Sequence, residues 1–238
     1  MSALTVARTT LLRASRRPST WAIAALSFLP ALVGALSAWA GHGVLSVGAP
    51  VALRLVGPLM VPALVAAPVG EQFDNRTVVY WFTRPFARPW VLVGDALGYA
   101  VVAAAALGLC GMLLGGIDAI HGVSDLASLV RVPVGLALFG ASLVGFCIAA
   151  GALVPKHPVV AAIVALVMTE GVAPGVWAKL TYVSVGYHAS VIAGMPFGED
   201  GAAALTAPPV WVSLLAMALY ALLPLGVAMT VVDDRDVV

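Results

Sequence analysis

Charge is scarce in this sequence: only 10% of its 238 residues are Asp, Glu, Lys or Arg, whereas soluble domains carry about a quarter. Hydrophobic residues make up 62% of the chain, and the mean hydropathy is +1.05. A water-soluble fold is therefore a poor interpretation. The formal net charge of only +1 also gives no reason to expect nucleic acid or another polyanion as a partner.

Motifs for chemistry are equally scarce. Cys110 and Cys147 both lie in apolar runs and form neither a metal-ligand set nor a disulfide framework. The four histidines fall in four connecting segments without His-Glu-x-x-His spacing, so we expect no bound metal. The sequence contains no Gly-x-x-x-x-Gly-Lys-Ser/Thr phosphate loop and no Gly-x-Ser-x-Gly elbow. We therefore expect neither a nucleotide site nor the simplest type of serine hydrolase in this chain.

What the chain does have is long apolar runs. The hydrocarbon core of a bilayer is about 30 Å thick and requires roughly 20 apolar residues per crossing. Six runs approach that length: 21–40, 49–69, 90–115, 128–153, 159–177 and 210–232. We expect an all-α integral membrane protein with six transmembrane helices, forming one membrane domain over residues 1–238. Glu170, Gly171 and Pro174 interrupt the fifth run. Three forms of this helix therefore stay open: continuous, broken or re-entrant.

The placement of basic residues predicts the orientation. With the N-terminus inside, nine basic residues lie in cytoplasmic segments and only Arg131 and Lys179 in outer loops, so both termini are predicted to be cytoplasmic. Residues 1–20 mix apolar residues with arginines, which favours an interfacial elbow helix over a disordered basic leader. Residues 178–209 are too apolar for a solvated linker and are predicted to lie on, or re-enter, the outer leaflet.

Residues 71–90, between the second and third runs, differ from the rest of the chain. Charged residues lie at both ends of this segment and an aromatic cluster lies between them, which is typical of a helix at the cytoplasmic interface. Pro85 and Pro89 favour a helix break near Arg84. The residues alone leave two interpretations open: an ordinary loop with anchoring arginines, or a docking site for a soluble partner.

The order of residues in this segment resembles the cytoplasmic coupling segment of type-2 ABC transporter permeases, the membrane-spanning subunits of ABC exporters. That family shows an acidic residue, Gly-Thr, a short apolar helix and Arg-Pro-x-x-Arg before a transmembrane run. The matching positions here are Glu71, Thr77, the helix 78–83, Arg84-Pro85 and Arg88, with Arg76 in place of the usual Gly. The elbow, six crossings, internal termini and outer excursion also resemble that architecture.

The resemblance implies a transport subunit and not an enzyme. Residues 71–90 would form a coupling helix that docks into a separate ABC ATPase, with two ATPases serving two permeases in a homodimer or heterodimer. ATP and magnesium would bind the partner, so no cofactor is expected in this chain. The docking residues implied are Glu71, Thr77, Tyr80, Trp81, Phe82, Arg84, Pro85 and Arg88. Export of a hydrophobic or amphipathic substrate across a bacterial inner membrane follows from the same resemblance, with membrane lipid as a further partner.

Two acidic residues inside apolar runs are candidate sites. Glu170 is predicted either to line a cavity or transport pathway, or to lie near the outer headgroups. Asp95, near the start of the third run, is expected to be water-accessible or paired with an arginine. An intramembrane enzyme acting on lipid-linked substrates through Glu170 and His188 is the alternative function, and a non-transporting assembly subunit of permease architecture is a third.

Overall fold

The computed structural model describes residues 2–75, 89–121, 127–172, 176–195 and 206–234. Within these ranges the chain forms helices joined by short turns, and it contains no β-strand. In chain order, the α-helices are α1 (Ala3–Arg16), α2 (Pro18–Leu26), α3 (Leu29–Trp39), α4 (Val44–Pro50), α5 (Gly57–Asp74), α6 (Pro89–Ile120), α7 (Ser128–Leu153), α8 (Pro158–Leu166), α9 (Val185–Ala193) and α10 (Val210–Asp234). A π-helical turn at Val51–Val56 joins α4 to α5, another at Val167–Val172 continues α8, and a 3-10 helix covers Ala178–Val183.

Five helical spans of the described chain are long and apolar enough to cross a membrane: Pro18–Trp39, Val44–Asp74, Pro89–Ile120, Ser128–Leu153 and Val210–Asp233. They agree with the all-α, multi-pass class predicted from the sequence. Of the fifth predicted crossing, 159–177, the structure describes α8 and its π turn, with nine and six residues, before residues 173–175, which lie outside the described ranges. Fifteen residues span no more than about 22 Å, less than the hydrocarbon core. A sixth crossing therefore stays a prediction.

The first span is broken in its middle. Helix α2 ends at Leu26 and α3 starts at Leu29, with Pro30 in the first turn of the new helix. Proline has no N–H and its ring collides with the carbonyl four residues earlier, so a continuous helix is disfavoured here. The Ser27 hydroxyl donates to the carbonyl oxygens of Ala24 at 2.5 Å and of Ala106 at 3.2 Å. The break is thereby attached to α6.

The second and third spans are longer than the apolar runs that predicted them. The run 49–69 lies within Val44–Asp74, and the run 90–115 lies within Pro89–Ile120. Residues 71–74 therefore form the last turn of α5, and residues 89–90 form the first turn of α6. The predicted coupling segment is continuous with a helix at each end.

Helix α7 lies at the centre of the bundle, in contact with α5, α6, α8, α9 and α10. In the most apolar 18-residue stretch of α7, 67% of the residues are buried, compared with 22% in such stretches of the first and last spans. Glycines on α7 allow close packing: a β-carbon on Gly145 would collide with the carbonyl oxygen of Ala221 in α10. The closest approach of α7 and α10 is thus between two backbones.

Candidate functional site

The N-terminal helix α1 lies against the start of α6. Its buried residues are Val6, Ala7, Thr10 and Ala14, which form one face of the helix. Gly94 and Gly98 of α6 lie beneath that face. A β-carbon on Gly94 would be 2.8 Å from the carbonyl oxygen of Ala3, and one on Gly98 would be 2.9 Å from the β-carbon of Thr10. This pair of glycines therefore packs against another helix of the same chain.

A buried carboxylate links α1 to the bases of two long helices. Asp95 is 3% exposed and accepts a hydrogen bond from the Thr10 hydroxyl at 2.5 Å. The side chain of Gln72, in the last turn of α5, also donates to Asp95, and the positive charge of Arg13 lies close enough to attract it. The expectation that Asp95 is water-accessible is wrong, because α1 covers it. The expected pairing with an arginine stays a prediction, with Arg13 as the nearby candidate.

A weaker contact joins the same elements at the surface. Nη1 of Arg17, between α1 and α2, lies 3.8 Å from Oε2 of Glu71 in the last turn of α5. Both side chains are well exposed, so this ion pair contributes little to stability. This ion pair and the hydrogen bond to Asp95 hold the N-terminal region against the end of α5 and the start of α6, the two helix ends that flank residues 76–88.

Of the eight predicted docking residues, Glu71 lies within the described residues. Glu71 is an exposed residue of α5 in contact with Arg17. The other docking residues lie outside the described residues: Thr77, Tyr80, Trp81, Phe82, Arg84, Pro85 and Arg88. Their role as a docking surface stays a prediction.

A second buried carboxylate lies at the opposite end of the bundle. Glu170, in the π turn Val167–Val172, is fully buried. Its Oε2 accepts from the Ser184 hydroxyl at 2.6 Å and from the Gly186 N–H at 2.8 Å, and its Oε1 accepts from the Val185 N–H at 3.0 Å. Three donors thus surround the two carboxylate oxygens.

These donors belong to the first turn of α9, so Glu170 caps that helix. The first N–H groups of a helix have no partner within it, and the positive end of the helix dipole attracts an anion. Ser184 is the N-cap residue, and its hydroxyl oxygen also accepts from the Tyr187 N–H at 3.1 Å. Glu170 therefore fixes α9 to the π turn that continues α8.

A basic residue from the second span completes this arrangement. Arg54 lies in the π turn Val51–Val56, which packs against the π turn that carries Glu170. The two side chains have opposite charges and attract each other. Single π turns occur often at functional sites, and here two π turns that pack together each carry a charged residue.

His188 lies one turn into α9, and both of its ring nitrogens have a polar partner. Nε2 lies 2.9 Å from the carbonyl oxygen of Tyr182, which can only accept, so Nε2 carries the proton. Nδ1 lies 3.2 Å from the Ser213 hydroxyl of α10, which donates to it when the imidazole is neutral. The ring thereby joins α9 and the 3-10 helix Ala178–Val183 to the last span. Burial lowers the pKa of His188, which favours this neutral form.

The pKa of His188 predicts a loss of stability in acid. An unfolded histidine binds a proton below about pH 6.5, whereas the buried ring resists protonation, so stability falls as pH decreases through that value. We expect the melting temperature in detergent to fall between about pH 7.5 and 5.5, and to fall less in His188→Gln. His42→Gln, at an exposed histidine, should keep the wild-type dependence. Equal pH dependence in all three proteins would contradict the prediction.

Both polar clusters join elements far apart in the chain. The contacts account for the burial of Glu170 without a transport pathway, and a pathway role stays a prediction. Sequence reasoning missed Thr10, Gln72 and Ser184. Ser184 alone carried a local signal, since serine before an apolar stretch favours a helix N-cap.

Comparison with protein-family models and with curated proteins gives no match for this chain.

Proposed function

We propose that the chain is the membrane-spanning permease subunit of an ATP-driven ABC exporter, coupled to a separate ATPase through residues 71–90. The observation that carries the proposal is the position of α1 across the two ends of this segment. Thr10 and Gln72 both donate to Asp95, so the N-terminal helix, the end of α5 and the start of α6 share one buried contact. A force applied to the segment would reach all three helices together.

The proposed mechanism depends on how the coupling segment is connected to the helices. Helices α5 and α6 continue into the two ends of the segment, and α7 packs against both of them. Closure of two ATPases would displace the coupling segments, tilt these helices and alternate access to a cavity between inner and outer sides. Arg84 and Arg88 would pair with acidic residues of the ATPase, and Tyr80, Trp81 and Phe82 would supply its apolar contacts.

The remaining properties of the proposal follow from the basic-residue pattern and the family resemblance. Both termini would lie in the cytoplasm, six crossings would span a bacterial inner membrane, and the substrate would be hydrophobic or amphipathic. Two copies would pair. Gly94 and Gly98 are covered by α1, and Gly111 and Gly115 by the start of α7, so pairing would use other faces. The least buried spans, Pro18–Trp39 and Val210–Asp233, offer such faces.

The enzyme alternative requires free reactive groups at Glu170 and His188. The described contacts of the Glu170 carboxylate and of both His188 ring nitrogens serve to hold α9 against its neighbours. No observation therefore favours that function over transport. A non-transporting assembly subunit would use the same coupling contacts and is distinguished from a transporter by a substrate-flux assay.

Reversal of two charges tests the docking assignment. We expect Arg84→Glu with Arg88→Glu to weaken ATPase association roughly 30-fold or more, because two cationic contacts become repulsive. The measurement is co-purification in mild detergent, followed by ATP hydrolysis of the purified material. The matched control is Arg131→Glu with Lys179→Glu, which reverses two exposed charges on the predicted outer side, in the first turn of α7 and in the 3-10 helix Ala178–Val183. Equal ATPase retention by both double variants would contradict docking through this segment.

A further inference from the structure

An apolar groove runs between α1, α2 and α6. Its volume is about 630 Å³, within the range of roughly 300–1,000 Å³ that small-molecule sites occupy. The side chains that line it are almost entirely apolar and include Leu11, Trp21, Ala25, Phe28, Val101 and Leu109. Most of these side chains are exposed in the chain by itself. In a membrane the groove would be open to acyl chains.

A cationic recess adjoins one end of this groove. It has a volume of about 420 Å³ and is lined by Thr9, Leu12, Arg13, Arg16 and Arg17. Leu12 lines both spaces, so the apolar groove and the recess with its three arginines share a wall.

Two acidic residues lie near these arginines. Glu71 is 3.8 Å from Arg17, and the buried Asp95 attracts Arg13. Three arginines against two carboxylates leave the recess positive, and Arg16 projects from the exposed face of α1.

We propose that this composite site binds an anionic glycerophospholipid, with one acyl chain in the groove and the headgroup phosphate at Arg13, Arg16 and Arg17. The proposal is independent of the transport function. Arginine presents a planar set of donors that matches phosphate oxygens in pairs. A basic amphipathic helix at a membrane surface also attracts anionic lipid. The bound lipid would fill the space between α1 and α2 and stabilise α1 on α6.

Charge distinguishes this occupant from the alternatives. A second copy of the chain packed symmetrically on the groove would bring its own Arg13, Arg16 and Arg17 toward the first set, and like charges repel. A zwitterionic lipid offers the arginines no net charge. A free phosphate ion would leave the apolar groove uncovered. Only an anionic lipid satisfies both the groove and the recess.

The test is native mass spectrometry of the full-length protein reconstituted with phosphatidylglycerol or with phosphatidylcholine of the same acyl chains. We expect one tightly retained phosphatidylglycerol and at least about tenfold lower retention of phosphatidylcholine. Arg13→Gln with Arg16→Gln should lower phosphatidylglycerol retention about tenfold or more. The control Arg8→Gln removes an exposed arginine from the same helix but outside the recess and should leave retention unchanged.

A second variant tests the groove. Ala105 lines the groove with an exposed side chain, so Ala105→Trp fills it without disturbing the core and should abolish retention. Leu113→Trp is the control, on an exposed position of the same helix away from the groove.

Three results would overturn the proposal. Equal retention of the two lipids would remove the role of the arginines. Unchanged retention of phosphatidylglycerol in Ala105→Trp, with displacement of the lipid by inorganic phosphate, would identify a phosphate site that does not use the groove. Dissociation of a dimer by Ala105→Trp, with lipid retention unchanged, would identify a second copy as the occupant.

Discussion

Replacing Glu170 by Ala is expected to lower the free energy of unfolding by about 3–5 kcal/mol, because each buried donor left without its acceptor costs about 1–3 kcal/mol. The substitution leaves the Ser184 hydroxyl and the N–H groups of Val185 and Gly186 without their acceptor. It also removes the opposite charge that attracts Arg54. The measurement is unfolding of the purified protein in mixed detergent micelles.

Two further variants separate capping from a general effect of removing an acid. Ser184→Ala removes one of the three donors and should cost about 1–3 kcal/mol. Glu71→Ala removes an exposed carboxylate at the other end of the bundle and should cost at most about 1 kcal/mol. If Glu170→Ala unfolds as readily as Glu71→Ala, the capping role of Glu170 is wrong.

Adding one methyl group at Gly145 is expected to destabilise the protein by about 1–3 kcal/mol, with separation of α7 from α10. The obstruction is the carbonyl oxygen of Ala221, and a backbone atom cannot rotate away as a side chain can. The ring contact between Phe146 and Tyr220, with centroids 6.1 Å apart, lies next to this point and should change with it. Tyrosine fluorescence and unfolding in detergent measure the two effects.

Gly226 provides the matched control for this substitution. It lies in α10, and a β-carbon there would meet no atom within 4 Å. Gly226→Ala should therefore leave the packing intact and stabilise the helix by up to about 1 kcal/mol, because alanine favours helix more than glycine does. Equal effects of the two substitutions would show that α7 and α10 are not in close backbone contact.

Helix class and location were readable from the sequence because each long span needs a long apolar run. The run 128–153 coincides with α7, Ser128–Leu153. The runs 49–69 and 90–115 are shorter than the helices that contain them. At the end of α5, for example, the helix continues through the polar residues Glu71 and Asp74, and polar residues occur in helices and loops alike. The break after Leu26 follows from Pro30, yet apolar composition on both sides concealed it.

The two polar clusters were harder to predict, because their partners are distant in sequence. Thr10 and Asp95 are 85 residues apart, and nothing in the composition around Thr10 indicates that it meets a carboxylate. Glu170 was recognised as unusual since an acid in an apolar run needs compensation. The form of that compensation, a helix that folds back onto the carboxylate, required the tertiary structure. The π turns that carry Arg54 and Glu170 have no sequence signature of their own.

The capping of α9 by Glu170 also constrains how the protein can be made. Chains are synthesised from the N-terminus, and Glu170 precedes Ser184 by 14 residues and Gly186 by 16. A charged residue opposes entry of a helix into the membrane by about 2.5–3.5 kcal/mol at its centre, and α8 with its π turn is short. At that moment of synthesis the donors do not yet exist. If α8 forms the predicted fifth crossing, its insertion must await the segment that carries Ser184 and Gly186, so that the two enter as one unit.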